Sequence, residues 1–402
     1  MKKLLKIGFR IIIIILTVVI VGYAGCSLVG IIGNRANLNL AKNLAKVEII
    51  DQIVPFIDEE TGHYTFLVDD EREFKVLQLT DTHVGGGFLS IKKDGWALNA
   101  IAALITETKP DLVIITGDMI YSSPFMSGTL NNVTPTEMLA TALEQLGVYW
   151  TVAFGNHDSE YLASATRSEI SDVYERDEYE HCIFTRGPSD IFGFGNQIIN
   201  LKNKEGLITR SYVLLDSNSY VNDATGFLSR YDSIHNDQIE WYKNEITKLN
   251  ELNKVIDANS EMLKSILFFH IPLKDYLDAW SEYVEASTDT ENVKFHYGVA
   301  GEGGQVVYHG TVGDNLFETM LELGSTEAVF AGHDHLNNFS ISYNGGAGDR
   351  YIRLTYGMSI DYIAYIGIWK KTAQRGGTVI TVKGTESFNC YGLRLAGLEV
   401  IE

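Results

Sequence analysis

Between Phe74 and Ala153 the sequence reads strand, helix, strand, helix, strand, and that order leaves few folds open. Phe74 to Leu79 is a strand-like run. Gly95 to Thr108 places Trp96, Leu98, Ile101, Leu104 and Ile105 at a helical period, and Pro110 ends it. Leu112 to Ile115 is a short apolar run of buried-strand type. Thr136 to Leu146 is a second helix, preceded by Pro135, and Val148 to Ala153 is a third strand. Strands alternating with helices in this way imply a parallel α/β sheet. In such sheets the carboxyl ends of the strands border the crevice where ligands bind.

Those ends carry a consistent chemistry. The first strand runs into Thr80-Asp81-Thr82-His83, the second into Thr116-Gly117-Asp118, and the third into Phe154-Gly155-Asn156-His157-Asp158. Two later runs behave alike. Ser265 to Phe269 ends at His270, and Ala328 to Phe330 leads into Gly332-His333-Asp334-His335. Each motif alone has a bland reading as a turn, a helix cap or a packed imidazole. Of the ten histidines, however, five fall in these motifs, and five such coincidences after apolar strands are improbable together. Two divalent ions about 3.5–4 Å apart can clamp an in-line displacement at phosphorus and lower the pKa of bound water. A carboxylate must hold the two ions together, and a mixed oxygen and nitrogen shell suits Mn, Fe or Zn. Asn156 is expected to hold a metal and His157 to handle a proton.

The N-terminus is a separate matter. Lys2, Lys3, Lys6 and Arg10 precede an uncharged run from Ile11 to Asn34, long enough to cross a bilayer. Basic residues before the span place the N-terminus in the cytoplasm and the rest outside it. The preferred reading is an uncleaved signal anchor. A cleaved signal peptide and a lipoprotein signal ending at Ala24-Gly25-Cys26 are the alternatives. The expected division is an anchor over 1–34, a connector over 35–70 and a catalytic domain over 71–402. Net charge is −20 over 402 residues; the first 46 carry seven basic residues and no acid, leaving about −27 on the remainder. So acidic a surface excludes nucleic acid as partner or substrate. Three cysteines, Cys26, Cys182 and Cys390, imply no disulfide framework.

The rest of the chain is read more coarsely. Tyr64 to Val68 and Ser211 to Leu215 are strand-like, and Asn236 to Lys254 and Leu316 to Leu323 are helical. Residues 159–200 read as a long polar loop or small subdomain over the site, and 274–312 as an insert. Tyr161, Tyr174, Tyr179, Phe184, Tyr276 and Trp280 are candidate pocket walls, against the more usual reading of such rings as packing. Phe339 to Tyr343, Tyr351 to Leu354, Gly377 to Val382 and Gly392 to Val400 read as an antiparallel half.

The order Asp-x-His, Gly-Asp, Gly-Asn-His-Asp, His, Gly-His-x-His resembles the calcineurin-like metallophosphoesterase superfamily over roughly 74–340. The resemblance implies a four-layer α-β-β-α sandwich, here with a membrane-anchor helix at the N-terminus. It implies two divalent metal ions. Asp81, His83 and His335 would hold one, Asn156, His270 and His333 the other, and Asp118 would bridge. His157 would be the acid beside the leaving group and Asp158 a supporting carboxylate. Phe74 to Asp81, Lys109 to Val113, Phe268 to Pro272, Gly332 to His335, Gly193 to Asn196 and Leu215 to Ser217 are similar to the branch related to plant and fungal purple acid phosphatases. True purple acid phosphatases pair a Tyr ligand with Gly, not His, in the first motif. Here His83 is present, so Tyr121 is expected to pack and no purple colour is expected. The function implied is a phosphomonoesterase, with a phosphodiesterase on cyclic nucleotides or phospholipid headgroups, or an inactive scaffold, as alternatives.

Overall fold

The computed structural model describes residues 2–160, 162–221, 230–311, 313–346, 348–364 and 374–401. It begins with one long helix, α1 (Lys2–Lys42), and two short strands, β1 (Phe56–Ile57) and β2 (Tyr64–Leu67). The unit expected from the sequence follows as β3 (Glu73–Leu79), α2 (Ile91–Thr108), β4 (Leu112–Thr116), α3 (Val133–Leu146) and β5 (Tyr149–Ala153). β3, β4 and β5 pair in parallel.

Then come α4 (Arg167–Tyr174), β6 (Gln197–Lys202), β7 (Ile208–Leu214), the short pair β8 (Tyr220–Val221) and β9 (Arg230–Tyr231), α5 (Asn236–Ile256), β10 (Lys264–Phe268), α6 (Lys274–Ala286) and β11 (Val293–Tyr297). The chain closes with α7 (Leu316–Leu323), β12 (Thr326–Ala331), β13 (Ser340–Tyr343), β14 (Ile352–Tyr356), β15 (Gly376–Lys383), β16 (Asn389–Arg394) and β17 (Glu399–Ile401).

Two sheets result. One has six strands, ordered β17-β16-β15-β3-β4-β5; the other has nine, ordered β1-β2-β6-β7-β10-β12-β14-β13-β11. Alternation along each strand explains their stacking. Phe74, Val76, Leu112 and Ile114 face the other sheet, where they meet Tyr212, Phe268 and Phe330. Leu77, Leu79, Val113 and Ile115 face the opposite way and pack under α2 and α3 with Ile101, Leu104 and Leu139. On the nine-stranded sheet Leu267 and Val329 pack outward under α5, α6 and α7. The layers are therefore α-β-β-α.

Three regional expectations change. Residues 159–200, read as a long loop or small subdomain, are irregular beside the centre except for α4 and the start of β6, which join the layers; Ile170, Val173 and Tyr174 give α4 its short apolar face. The 274–312 insert contains α6 and β11, an edge strand of the larger sheet. The C-terminal strands do not form one antiparallel half. β13 and β14 join the nine-stranded sheet, where β14 is parallel to β12, while β15 to β17 extend the six-stranded sheet. The cysteines are all free.

α1 does not end with the uncharged run. It passes Cys26 unbroken and continues to Lys42, and Ala41 is buried against Leu98 and Ala142. Its stretch from Lys6 onward is apolar and long enough to cross a membrane.

Candidate metal centre

The two sheets bring five strand ends to one place. Asp81 and His83 follow β3, Asp118 follows β4, Asn156 and His157 follow β5, His270 follows β10, and His333 and His335 follow β12. Asp81, His83, Asp118 and His335 form one group with metal-ligand spacing, and Asp118, His270 and His333 form a second. Asp118 belongs to both.

The distances have the character of ligands around a common ion. Asp118 Oδ2 lies 3.1 Å from His270 Nε2 and 3.5 Å from His83 Nε2. Asp81 Oδ1 is 3.3 Å from His335 Nε2, and His270 Nε2 is 3.3 Å from His333 Nδ1. Bonds of about 2.0–2.2 Å to one metal place adjacent donors about 3–3.5 Å apart. Asp81 Oδ1, Asp118 Oδ2 and His83 Nε2 are buried without hydrogen-bond partners. Buried polar groups left so are costly, and a cation satisfies all three. The residues present therefore fit divalent metals.

Other contacts aim the donors. His270 Nδ1 donates to the Thr116 carbonyl at 2.9 Å, which turns Nε2 toward the centre. Asn156 Nδ2 donates to the Tyr220 hydroxyl at 2.9 Å, which leaves Oδ1 beside His270 Nε2 at 3.2 Å. Asp118 Oδ1 accepts from the His157 backbone N–H at 2.7 Å, freeing Oδ2 for the centre. Asp158 grips the N–H groups of Ile120 and Gly155 at 2.9 and 2.7 Å, tying the ends of β4 and β5 together. Asp334 turns away and accepts from Tyr356 at 2.5 Å.

The backbone is bent to this purpose. Asp81, His83, Asp118 and His333 have φ of 50°, 45°, 48° and 77°. Non-glycine residues avoid this left-handed region, and a cluster of them marks stored strain at a site. Two motif glycines are required by close approach. A Cβ on Gly155 would sit 2.2 Å from Asp118 N and Oδ1, and one on Gly332 would sit 2.0 Å from Thr80 Oγ1.

Charge follows the geometry. Burial works to lower His270, but the Asp118 carboxylate outweighs it and lifts the imidazole to about 9. Burial and the positive His270 hold His333 well below the usual range. Burial opposes the charged form of Asp118, and His270 and His157 nonetheless hold it well below. His157 points its Nδ1 at Glu160 Oε1, 2.5 Å away, and its Nε2 lies 4.0 Å from Asp118 Oδ2.

Several residues were not expected from the sequence. Asp361 stands between two rings, 3.5 Å from His83 Nδ1 and 3.4 Å from His335 Nδ1. Glu160 orients His157. Tyr220 holds Asn156, and the Tyr231 ring lies edge-on to His333 at 4.3 Å. Tyr121, expected from the sequence to pack, sets its ring edge-on to His157 at 4.4 Å and to His83 at 5.4 Å. Arg167 pairs with Asp216 and donates to the Gly155 carbonyl at 2.8 Å. The expected aromatic walls lie elsewhere: Tyr174, Tyr179 and Phe184 pack in the core behind β5, Tyr276 and Trp280 pack from α6 into the core of the nine-stranded sheet, and Tyr161 is outside the described residues. A cavity of about 810 Å³, bordered by the 186–194 loop, adjoins the centre through Tyr220 and Arg167.

The calcineurin-like phosphoesterase family model matches residues 74–337, which contain every one of these strand ends except the late Asp361. The chain belongs to that family. Among curated relatives of the chain, probable inactive purple acid phosphatase 29 of Arabidopsis thaliana is 26% identical over 317 residues, covering 73% of each chain. Phosphatase DCR2 of Saccharomyces cerevisiae is 26% identical over 300 residues, 70% of this chain and 47% of the yeast protein. A solved purple acid phosphatase, PPD1 from yellow lupin seeds, aligns with TM-score 0.44 and 10% identity over 84% of this chain and 55% of its own.

Proposed function

We propose that the chain is a dinuclear-metal phosphomonoesterase, held at a membrane by α1 with its catalytic domain outside the cytoplasm. Residues 1–34 serve as the anchor, 35–70 join it to the catalytic domain and lend β1 and β2 to its larger sheet, and 71–402 make up the rest of that domain. The observation that carries the reading is the single carboxylate, Asp118, common to two donor groups, with His157 beside it. Asp81, His83 and His335 would hold one divalent ion, Asn156, His270 and His333 the other, and Asp118 both. Mn, Fe and Zn all suit this donor set. Bound there, two such ions supply positive charge for the phosphoryl oxygens and activate water. Glu160 keeps the His157 ring oriented, and against burial the Asp118 and Glu160 carboxylates raise it above its ordinary value, so that Nε2 can give its proton to the departing alkoxide. Lys2, Lys3, Lys6 and Arg10 ahead of the apolar run support the orientation.

The name of the Arabidopsis relative favours a second reading, a phosphoesterase fold without activity. The complete donor set and the presence of His157 weigh against it. The test is hydrolysis of a chromogenic phosphomonoester and its diester counterpart with added Mn, Fe or Zn. Expected are metal-dependent turnover of the monoester and a loss of about 10²–10⁴-fold in His157→Ala, with Asp118→Asn equally impaired. No turnover of either ester with any of the metals overturns the proposal, and preference for the diester replaces the monoester reading.

A further inference from the structure

The anchor and the metal centre are at the same end of the molecule. α2 follows the loop that leaves β3 at Asp81, so its first turn lies at the end of the sheet that bears the metal-type residues. α1 runs beside α2 in the same direction. A Cβ on Gly30 would meet Phe88 N at 3.3 Å and one on Gly33 would meet Ile91 at 2.4 Å. Farther on, Asn37 donates to the Ile91 carbonyl at 2.9 Å and Ala41 packs on Leu98. The uncovered part of α1 therefore projects past the start of α2, on the side of the strand ends.

Counting about 20 residues from Arg10 for a bilayer core places its outer edge near Gly30. Gly30 abuts Phe88, and Phe88 is five residues from His83, at most about 18 Å along the chain. The loop between them is held by the anchor itself, since Asn34 Nδ2 donates to the Gly86 carbonyl at 2.7 Å.

The surface around this exit suits a bilayer. Leu89 is 47% and Phe125 87% exposed, and the Leu89 N–H donates to the Ser127 carbonyl at 3.0 Å, joining the two loops. Phe125 is four residues from Tyr121, whose ring lies against His157. Arg35 and Lys92 are exposed nearby, positive groups in a chain of net charge −20. Apolar side chains with basic neighbours match the interface of headgroup phosphates and acyl chains.

We propose that the centre acts on phosphate monoesters embedded in the bilayer that holds α1, that is, on lipid phosphates. This rests on the membrane-anchored phosphoesterase reading above and names its substrate class. Water adds to phosphorus, the bond from phosphorus to the lipid oxygen breaks, and that oxygen takes a proton from His157. Inorganic phosphate leaves, and the lipid alcohol stays in the membrane.

The test uses the full chain reconstituted with Mn in phosphatidylcholine vesicles containing phosphatidic acid, with soluble p-nitrophenyl phosphate assayed in the same vesicles. The expected result is phosphate release from both. The double variant Leu89→Ser with Phe125→Ser should slow release from phosphatidic acid by about tenfold, through lost apolar contact, and leave the p-nitrophenyl phosphate rate unchanged. Turnover of p-nitrophenyl phosphate without release from phosphatidic acid overturns this inference alone. Turnover of neither overturns the phosphoesterase reading with it. A second readout does not depend on catalysis. An environment-sensitive fluorophore on Phe125→Cys should shift to the blue in vesicles, while one on Val255→Cys, 84% exposed at the far end of α5, should not. Equal spectra at the two positions contradict the membrane-facing arrangement.

Discussion

Asp361 shows how a residue that touches no substrate can decide whether the centre forms. Its carboxylate faces the Nδ1 atoms of His83 and His335, so it fixes both rings with Nε2 turned toward Asp118 and Asp81. Carboxylates in this position orient imidazole ligands, and their loss costs about 10–100-fold in metal affinity. Asp361→Asn should therefore raise the Mn concentration needed for half-maximal activity by about that factor, with activity restored at saturating Mn. A Mn titration checks this, and an unchanged midpoint contradicts it. That Asp81, His83, Asp118, Asn156, His270, His333 and His335 would gather at one crevice was legible because each lies within a few residues of the end of an apolar run. Asp361 was not, because β14 was read as part of an antiparallel half. Its parallel pairing with β12 makes the end of β14 a sixth strand end at the same crevice. Glu160 was hidden differently: it lies just past the last motif residue, and only the fold of the turn brings its carboxylate to His157 Nδ1.

Among the elements, α1 is long and apolar enough to cross a membrane, and its part from Gly30 onward packs on the rest of the chain. Gly33 and Gly25 separate the two roles. A Cβ on Gly33 meets the Ile91 side chain, whereas one on Gly25 meets nothing within 4 Å. Both substitutions replace a poor helix former, so propensity favours each alike. Gly33→Ile should nevertheless lower the Tm of the detergent-solubilised chain by about 2–5 °C through overpacking, and Gly25→Ile should not. Equal melting temperatures for the two variants contradict the docking of α1. The long periodic helices and apolar strands were readable, since period and length both speak for them. α4 and α6 were obscured by polar neighbours, although signals existed. Thr166 and Glu169 form a capping box before α4, and Tyr276, Ala279 and Trp280 recur at helical spacing in α6.

For the whole molecule, charge and sheet order matter most. The acidic excess is concentrated enough to bear on stability. Burial and the neighbouring Glu318 push Asp275 up to about 7 from an ordinary 3.8. A carboxyl raised on folding imposes no penalty below its unfolded value and an increasing one as pH rises through the folded value. Asp275→Asn should raise Tm at pH 8 and leave it unchanged at pH 4, and melts at the two pH values check it. Sheet order was the least legible property. Pairing β15 with β3 and β14 with β12 depends on contacts far apart in the chain, which local pattern does not encode. The strand-end chemistry nonetheless pointed to one common centre, and the described strand ends do converge. Metal content tests that centre most directly. Elemental analysis of the Mn-loaded full chain should find two ions per chain, falling to one or none in Asp118→Asn. One ion per fully active chain, or two retained in Asp118→Asn, would contradict a dinuclear centre built on Asp118.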